Sequence, residues 1–181
     1  MIYIFLANGF EESEALVTYD MLCRAGLKCL LVGVDSLDVT GSHGVTVKCQ
    51  TTTDDIKDFN NMEAVILPGG MPGTLNLKDN ATVAAAIDFA AQNGKVIGAI
   101  CAAPSILGEK GLLCGKKATC YPGFEDKLIG AILQDVQAVC DGNIVTGRSA
   151  GAVYQFGFRL IERLIDTKTA NGVKESMICT E

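Results

Sequence analysis

The sequence has few histidines and no long apolar run, and both shortages exclude classes of site. His43 is the only histidine in 181 residues, and none of the eight cysteines forms a C-x-x-C pair. Zinc-ligand spacing is therefore absent, and we expect no metal site. No apolar run approaches the roughly 20 residues that cross a bilayer, so no membrane partner is expected. The N-terminus also lacks the basic region and cleavage site of a signal peptide.

Basic residues are outnumbered, with 15 lysines and arginines against 21 acids and a net charge of −6. No basic stripe exists to displace counterions from a phosphate backbone, so we expect no nucleic-acid partner. A length of 181 residues suits a single domain over residues 1–181, and the 49% of hydrophobic residues indicates a compact fold. Most of the scattered cysteines are expected to be small core residues, in a reducing cytoplasm.

Cys101 lies at the junction between two predicted elements. The uncharged run from Val96 to Ile100 predicts a strand buried on both faces. Ala102-Ala103-Pro104 then begins a predicted helix, with proline in the first turn. A cysteine at such a turn lies at the carboxyl edge of a sheet and at the positive end of a helix, which lowers a thiol pKa and favours reactivity. The alternative is a buried structural cysteine.

Predicted strands and helices alternate along the chain. Strands are expected at 2–7, 28–34, 64–67 and 96–100, a short edge hairpin at 44–51, and the clearest helical spacing at 153–164. This order predicts an α/β fold with a doubly wound, mostly parallel sheet and helices on both faces. Ligands then bind at the carboxyl ends of the strands.

Further candidate groups lie in the loops expected at that edge. Glu14 is one turn into the first helix, and a carboxyl group beside a thiolate must stay largely protonated. It can then hydrogen-bond the sulfur or move a proton. The N–H groups of Gly70 and Ala102 together can form an oxyanion hole. Arg148 is either a surface charge or a group that orients a loop carbonyl near the site.

Four motifs together resemble those of a known family. They are Glu-Glu-Ser-Glu-Ala at 11–15, Leu-Pro-Gly-Gly at 67–70, Ala-Ile-Cys-Ala-Ala-Pro at 99–104 and Gly-Arg-Ser-Ala-Gly at 147–151. In this order and spacing they are similar to the DJ-1/ThiJ/PfpI superfamily, in its DJ-1 branch. The resemblance spans essentially the whole chain.

The resemblance implies a flavodoxin-like fold with a strained cysteine at a nucleophile elbow. It also implies a homodimer in which the first helix contributes to the interface. Transferred by motif, Cys101 is the reactive thiol and Glu14 its protonated partner. Gly70 and Ala102 are the oxyanion donors. The implied chemistry needs no cofactor.

Two departures from the family pattern concern histidine. Tyr121 stands before Pro122 where this branch has a histidine, and Ala102 follows the cysteine where the protease-like branch has one. His43 belongs to an early loop, where we expect a surface position; the alternative is that it approaches a site from its own or a partner chain. No Cys–His dyad is present, so peptidase activity is not expected. Tyr121 can donate a hydrogen bond, but with a pKa near 10 it is a poor base at neutral pH.

Two functional hypotheses remain open. In the first, which the resemblance implies, the Cys101 thiolate adds to a 2-oxoaldehyde such as methylglyoxal, and Glu14 moves the proton between the two carbons. The protein is then an enzyme of glyoxalase or deglycase type. In the second, the protein is a non-enzymatic, redox-responsive stress protein in which Cys101 is oxidised to sulfinate and held by Glu14. The ligand is accordingly a small reactive carbonyl compound or an oxidant.

Overall fold

A seven-stranded sheet runs through the centre of the fold in the computed structural model, which describes residues 1–179. The strands in chain order are β1 (Ile2–Leu6), β2 (Cys29–Gly33), β3 (Asp38–Thr40), β4 (Thr46–Lys48), β5 (Thr51–Thr52), β6 (Ala64–Leu67), β7 (Val96–Ile100), β8 (Lys117–Ala118), β9 (Ile132–Leu133), β10 (Ala138–Asp141) and β11 (Ile144–Gly147). The helices are α1 (Glu12–Arg24), α2 (Gly73–Asp79), α3 (Ala81–Gln92), α4 (Pro104–Glu109), α5 (Val153–Leu164) and α6 (Thr167–Ser176). Single turns of 3-10 helix occupy Thr53–Asp55, Glu125–Lys127 and Ala150–Ala152.

The central sheet is mostly parallel, as predicted. Its spatial order is β10-β11-β7-β6-β1-β2-β5, and β10–β11 is its antiparallel pair. After β1 the chain adds β2 on one side and then returns to add β6 on the other. This reversal is the topological switch point, beside which the carboxyl ends of β1, β6 and β7 open a crevice.

Alternating strand residues build a core on each face of the sheet. Tyr3 and Phe5 of β1 lie on the face covered by α3 and α4. Ile2 and Ile4 lie on the opposite face, among residues of α1, α5 and α6. Buried apolar surface on both faces confirms the predicted doubly wound architecture. The two cores hold the strands in place, and with them the strand ends that carry the site. Within residues 1–179, no helix combines the length and apolar character needed to span a bilayer.

The predicted hairpin at 44–51 is wrong in its bounds and its position. β3 and β4 pair antiparallel in a separate two-stranded sheet, with Val39 opposite Val47. Val39 is buried against the core that contains α1, which explains why the first strand begins before the predicted range. The central sheet instead ends in the two-residue strand β5.

Candidate active site

Cys101 occupies a sharp turn immediately after β7. Its φ is +65°, in the left-handed region that a non-glycine residue rarely adopts and that stores backbone strain. Its N–H donates to the carbonyl of Gly147 at 2.9 Å, and its carbonyl accepts from the N–H of Tyr121 at 2.8 Å. Hydrogen bonds from two neighbouring segments therefore hold the strained residue in place.

Gly69 allows a close approach of the two side chains at this turn. A Cβ atom on Gly69 would lie 2.6 Å from Cβ of Cys101 and 2.8 Å from Oε2 of Glu14, so no larger residue fits here. The carbonyl of Gly69 also accepts a hydrogen bond from the N–H of Glu11 at 3.0 Å, which ties this loop to the start of α1. The glycine-rich loop thus sets the spacing between the first helix and the cysteine turn.

Glu14 is buried at this point, with 1% of its surface exposed. Its Oε2 accepts a hydrogen bond of 2.8 Å from the N–H of Gly69, and the carboxyl group also hydrogen-bonds the Cys101 thiol. Oε1 has no N–H or O–H partner in the described part of the chain. Burial raises the pKa of Glu14 to about 7, although the bonds from Gly69 and Cys101 oppose the rise.

The thiol of Cys101 differs from the sequence-based prediction. Burial, followed by the charge and hydrogen bond of Glu14, raises the pKa of Cys101 to about 12. The N–H groups of Ala102 and Gly70 hydrogen-bond the sulfur and lower the pKa, but they are outweighed. The predicted lowering of the thiol pKa is therefore wrong, because burial is the largest cause of the rise. Because two negative charges repel each other here, protonation of Glu14 removes the carboxylate's contribution to the rise.

Four predicted site residues, Cys101, Glu14, Gly70 and Ala102, thus lie together at the carboxyl edge of the sheet. Tyr121 contacts Cys101 through its backbone N–H, whereas 47% of the residue is exposed. The tyrosine ring is therefore positioned at the surface beside the turn.

Arg148 also lies near this edge, but its guanidinium forms an ion pair with Asp135. The guanidinium therefore pairs with a carboxylate. The alternative prediction, that Arg148 orients a loop carbonyl near the site, is wrong. With Cys120 and Glu125, Arg148 lines a cavity of about 320 Å³.

His43 takes the predicted surface position, with 70% of its side chain exposed. It lies in the loop between β3 and β4, and its Nδ1 is 2.8 Å from Oε2 of Glu12 and 3.7 Å from Oε2 of Glu11. The ligand atoms of these three residues lie within 4.8 Å of one another, a spacing compatible with a metal ion. The sequence did not predict this group, because helix and hairpin meet only in the folded chain.

Most of the chain matches proteins of one known family. A family model described as the DJ-1/PfpI family matches residues 1–163. The chain belongs to the DJ-1/PfpI family. It is 34% identical over 180 residues to DJ-1 homolog B of Arabidopsis thaliana, a match that covers 98% of this chain but 41% of the plant protein. The chain therefore spans less than half of that relative's length.

Two further relatives are covered almost completely. A deglycase of Pyrococcus horikoshii is 35% identical over 158 residues, which is 85% of this chain and 93% of the relative. The structure of oxidised DJ-1 from Toxoplasma gondii superposes with a TM-score of 0.94 at 30% identity, covering 99% of this chain and 98% of that one. The resemblance to the DJ-1 branch and the flavodoxin-like fold are both confirmed.

Proposed function

We propose that this DJ-1/PfpI protein acts on small 2-oxoaldehydes through Cys101, without a cofactor, as an enzyme of glyoxalase or deglycase type. The observation that carries the proposal is the buried contact between the Glu14 carboxyl group and the Cys101 thiol. A group with a pKa of about 7 is suited to both give and take a proton at neutral pH. The relative from Pyrococcus horikoshii, which is named a deglycase, supports the same class.

The reaction begins when Cys101 passes its thiol proton to the Glu14 carboxylate and the sulfur attacks the aldehyde carbon of methylglyoxal. A carbon–sulfur bond forms, and the aldehyde oxygen receives the electron pair. The N–H groups of Gly70 and Ala102, which already point at the sulfur, stabilise this oxygen until it takes a proton from Glu14. The product is a hemithioacetal.

Glu14 then transfers a proton between neighbouring carbons. Its carboxylate removes the hydrogen from the former aldehyde carbon and returns it to the adjacent carbon through an enediol. Meanwhile the hydroxyl proton on the former aldehyde carbon passes to the neighbouring oxygen, so that the former aldehyde carbon becomes the carbonyl of a thioester. The resulting thioester is hydrolysed by water, which releases lactate and the free thiol. Methylglyoxal and one water are consumed, and no electron acceptor is required.

The proposal includes a homodimer in a reducing cytoplasm, with α1 contributing to the interface as the family resemblance implies. All eight cysteines are free thiols, in keeping with that compartment. The partners are thus a second copy of the chain and a small carbonyl compound. Nucleic acids are not among the proposed partners, because a net charge of −6 does not attract a phosphate backbone.

A second candidate function uses the same residues, and the N–H groups at the sulfur favour it. Oxidation of Cys101 to sulfinate would place two oxygens near Gly70, Ala102 and the Glu14 carboxyl group. Donors already in position stabilise such an anion. On this hypothesis the protein is a redox-responsive stress protein and has no turnover.

Lactate formation from methylglyoxal distinguishes the two functions. We expect turnover in the wild type, loss in Cys101→Ser, and no change in the control Cys114→Ser, whose cysteine is exposed and lies after α4. Mass spectrometry after mild peroxide treatment follows oxidation of Cys101 in parallel. Absence of lactate together with stoichiometric sulfinate at Cys101 would reject the enzyme and support the redox function.

A further inference from the structure

A pair of cysteines lies at the opposite end of the strands from Cys101. Cys29 is the first residue of β2, and Cys23 belongs to the last turn of α1. In the parallel sheet, Cys29 is level with Ile2 at the amino end of β1, whereas Cys101 follows the carboxyl end of β7. The two sulfur sites are therefore separated by the length of a strand, about 17 Å for five residues.

A defined turn brings Cys29 back beside the helix. The N–H of Gly26 donates to the carbonyl of Cys23 at 2.9 Å, and the N–H of Leu27 donates to the carbonyl of Leu22 at 3.1 Å. Together these bonds form a Schellman motif, and Gly26 takes the left-handed conformation that the motif requires, with φ +80°. The chain therefore reverses within a few residues, in a geometry fixed by its own backbone.

The two thiols meet as a result of this reversal. The thiol of Cys29 donates to the carbonyl of Leu27 at 3.9 Å, inside the turn, and its sulfur lies within interaction range of Cys23, as does the hydroxyl of Tyr19. Tyr19 is held in turn by Gln50, whose Oε1 accepts a hydrogen bond of 2.7 Å from the N–H of Leu31. Cys23 is exposed and Cys29 is half-buried, so one sulfur of the pair is open to solvent.

We infer that Cys23 and Cys29 form an oxidant-sensitive dithiol, which a hydroperoxide converts to a disulfide within one chain, independently of Cys101. Two neighbouring thiols joined by a turn of fixed backbone geometry can close a disulfide within one chain, which requires Cα atoms about 4–7 Å apart. Reversible disulfides of this kind are compatible with a reducing compartment when they are transient.

The reaction proceeds in two balanced steps. The thiolate of Cys23, the more accessible sulfur, attacks the terminal oxygen of the hydroperoxide, so the O–O bond breaks, Cys23 becomes a sulfenic acid and the alcohol leaves. The sulfur of Cys29 then attacks the sulfur of Cys23, and the S–O bond breaks with release of water. Overall, two thiols lose two electrons and two protons, and the hydroperoxide is reduced to alcohol and water.

The order of the steps follows from the surroundings of Cys29. Burial and the neighbouring Cys23 raise the pKa of Cys29 to about 12, whereas the α-amino group of Met1 lowers it. Cys29 is therefore the thiol that keeps its proton, and the exposed Cys23 is the sulfur that meets the hydroperoxide first. Conversion of Cys23 to a neutral sulfenic acid removes the repelling charge at the moment when Cys29 must ionise to attack.

Peptide mapping under non-reducing conditions tests the inference directly. Trypsin cleaves after Arg24 and Lys28, so Cys23 and Cys29 fall in separate peptides, residues 1–24 and 29–48, each with a single cysteine. The folded protein is treated with hydrogen peroxide, alkylated, and separated on a non-reducing gel before digestion. We expect the two peptides linked, with the loss of two hydrogens, in the band of a single chain, and separated again by dithiothreitol.

Single substitutions assign the link. Cys23→Ser and Cys29→Ser should each abolish the linked peptides, while Cys101→Ser and the exposed control Cys114→Ser should retain them. Circular dichroism verifies that each variant is folded. The inference is overturned if peroxide that oxidises Cys101 leaves peptides 1–24 and 29–48 unlinked in the wild type. It is equally overturned if the link occurs only between two chains. Because Cys101→Ser keeps the link, the outcome is independent of the proposed enzymatic function.

Discussion

The carboxyl group of Glu14 hydrogen-bonds the thiol of Cys101 in a buried position, so the two acids compete for one negative charge. With Glu14 ionised, its carboxylate adds to burial in raising the thiol pKa to about 12. With Glu14 protonated, the N–H groups of Gly70 and Ala102 act on the sulfur without that opposition. Protonation of Glu14 thus removes the second cause of the raised thiol pKa, whereas burial, the larger cause, remains.

Glu14→Gln separates charge from proton transfer. The amide removes the carboxylate but cannot shuttle a proton, so the apparent pKa of Cys101 should fall below the wild-type value while lactate formation drops by about 100-fold or more. Ultraviolet absorbance of the thiolate, with Cys101→Ser as the blank, gives the pKa. Glu12→Gln makes the same chemical change at the neighbouring surface of α1 and should leave both quantities unchanged. A thiol pKa that rises in Glu14→Gln would contradict this account.

The raised pKa of Glu14 also predicts a pH dependence of stability. The folded-state pKa of about 7 lies above the ordinary 4.5, so the native protein holds a proton that the unfolded chain releases. The free energy of unfolding should therefore fall as the pH rises from 4.5 to 7, by up to about 3 kcal/mol from this group.

Urea unfolding across this pH range, with Glu14→Gln as reference, isolates the contribution of Glu14. The stability of the wild type minus that of the variant should decrease with rising pH. A difference that stays constant would show that Glu14 titrates normally in the folded protein.

Gly69→Ala tests the spacing between the first helix and the cysteine turn. The added methyl group would lie 2.6 Å from Cβ of Cys101, so we expect a loss of about 1–3 kcal/mol in stability together with reduced lactate formation. Gly172→Ala is the matched control, because a Cβ there meets no atom within 4 Å and the residue lies inside α6. It should stabilise the protein by about 0.5–1 kcal/mol. Thermal unfolding and turnover measure both effects, and an active, fully stable Gly69→Ala would refute the close approach.

Local sequence signals predicted the turn at Cys101 well. The apolar run before it and Pro104 after it describe a buried strand and a helix start, and both are found. The raised thiol pKa was not predictable in this way, because it depends on how deeply the fold buries Cys101 beside Glu14. The proximity of Cys23 and Cys29 was not predicted from the sequence for a related reason. It depends on the path of the turn between α1 and β2 and not on a cysteine motif.

The hydroxyl of Tyr121 should not take part in the reaction with methylglyoxal. The residue's backbone N–H holds the carbonyl of Cys101, while the ring lies about half exposed at the surface. Tyr121→Phe keeps the backbone bond and removes only the hydroxyl, so lactate formation should stay within about threefold of wild type, less than general acid–base catalysis contributes.

Peptide cleavage should be absent in the wild type, because Tyr121 stands where a Cys–His dyad needs a histidine, and a phenol does not activate a thiol as an imidazole does. Assays with fluorogenic peptides and with methylglyoxal, run on the wild type, Tyr121→Phe and Cys101→Ser, measure both activities. Cleavage that depends on Cys101 would overturn the assignment to small carbonyl compounds. A loss of lactate formation in Tyr121→Phe by 100-fold would instead place the hydroxyl in the reaction.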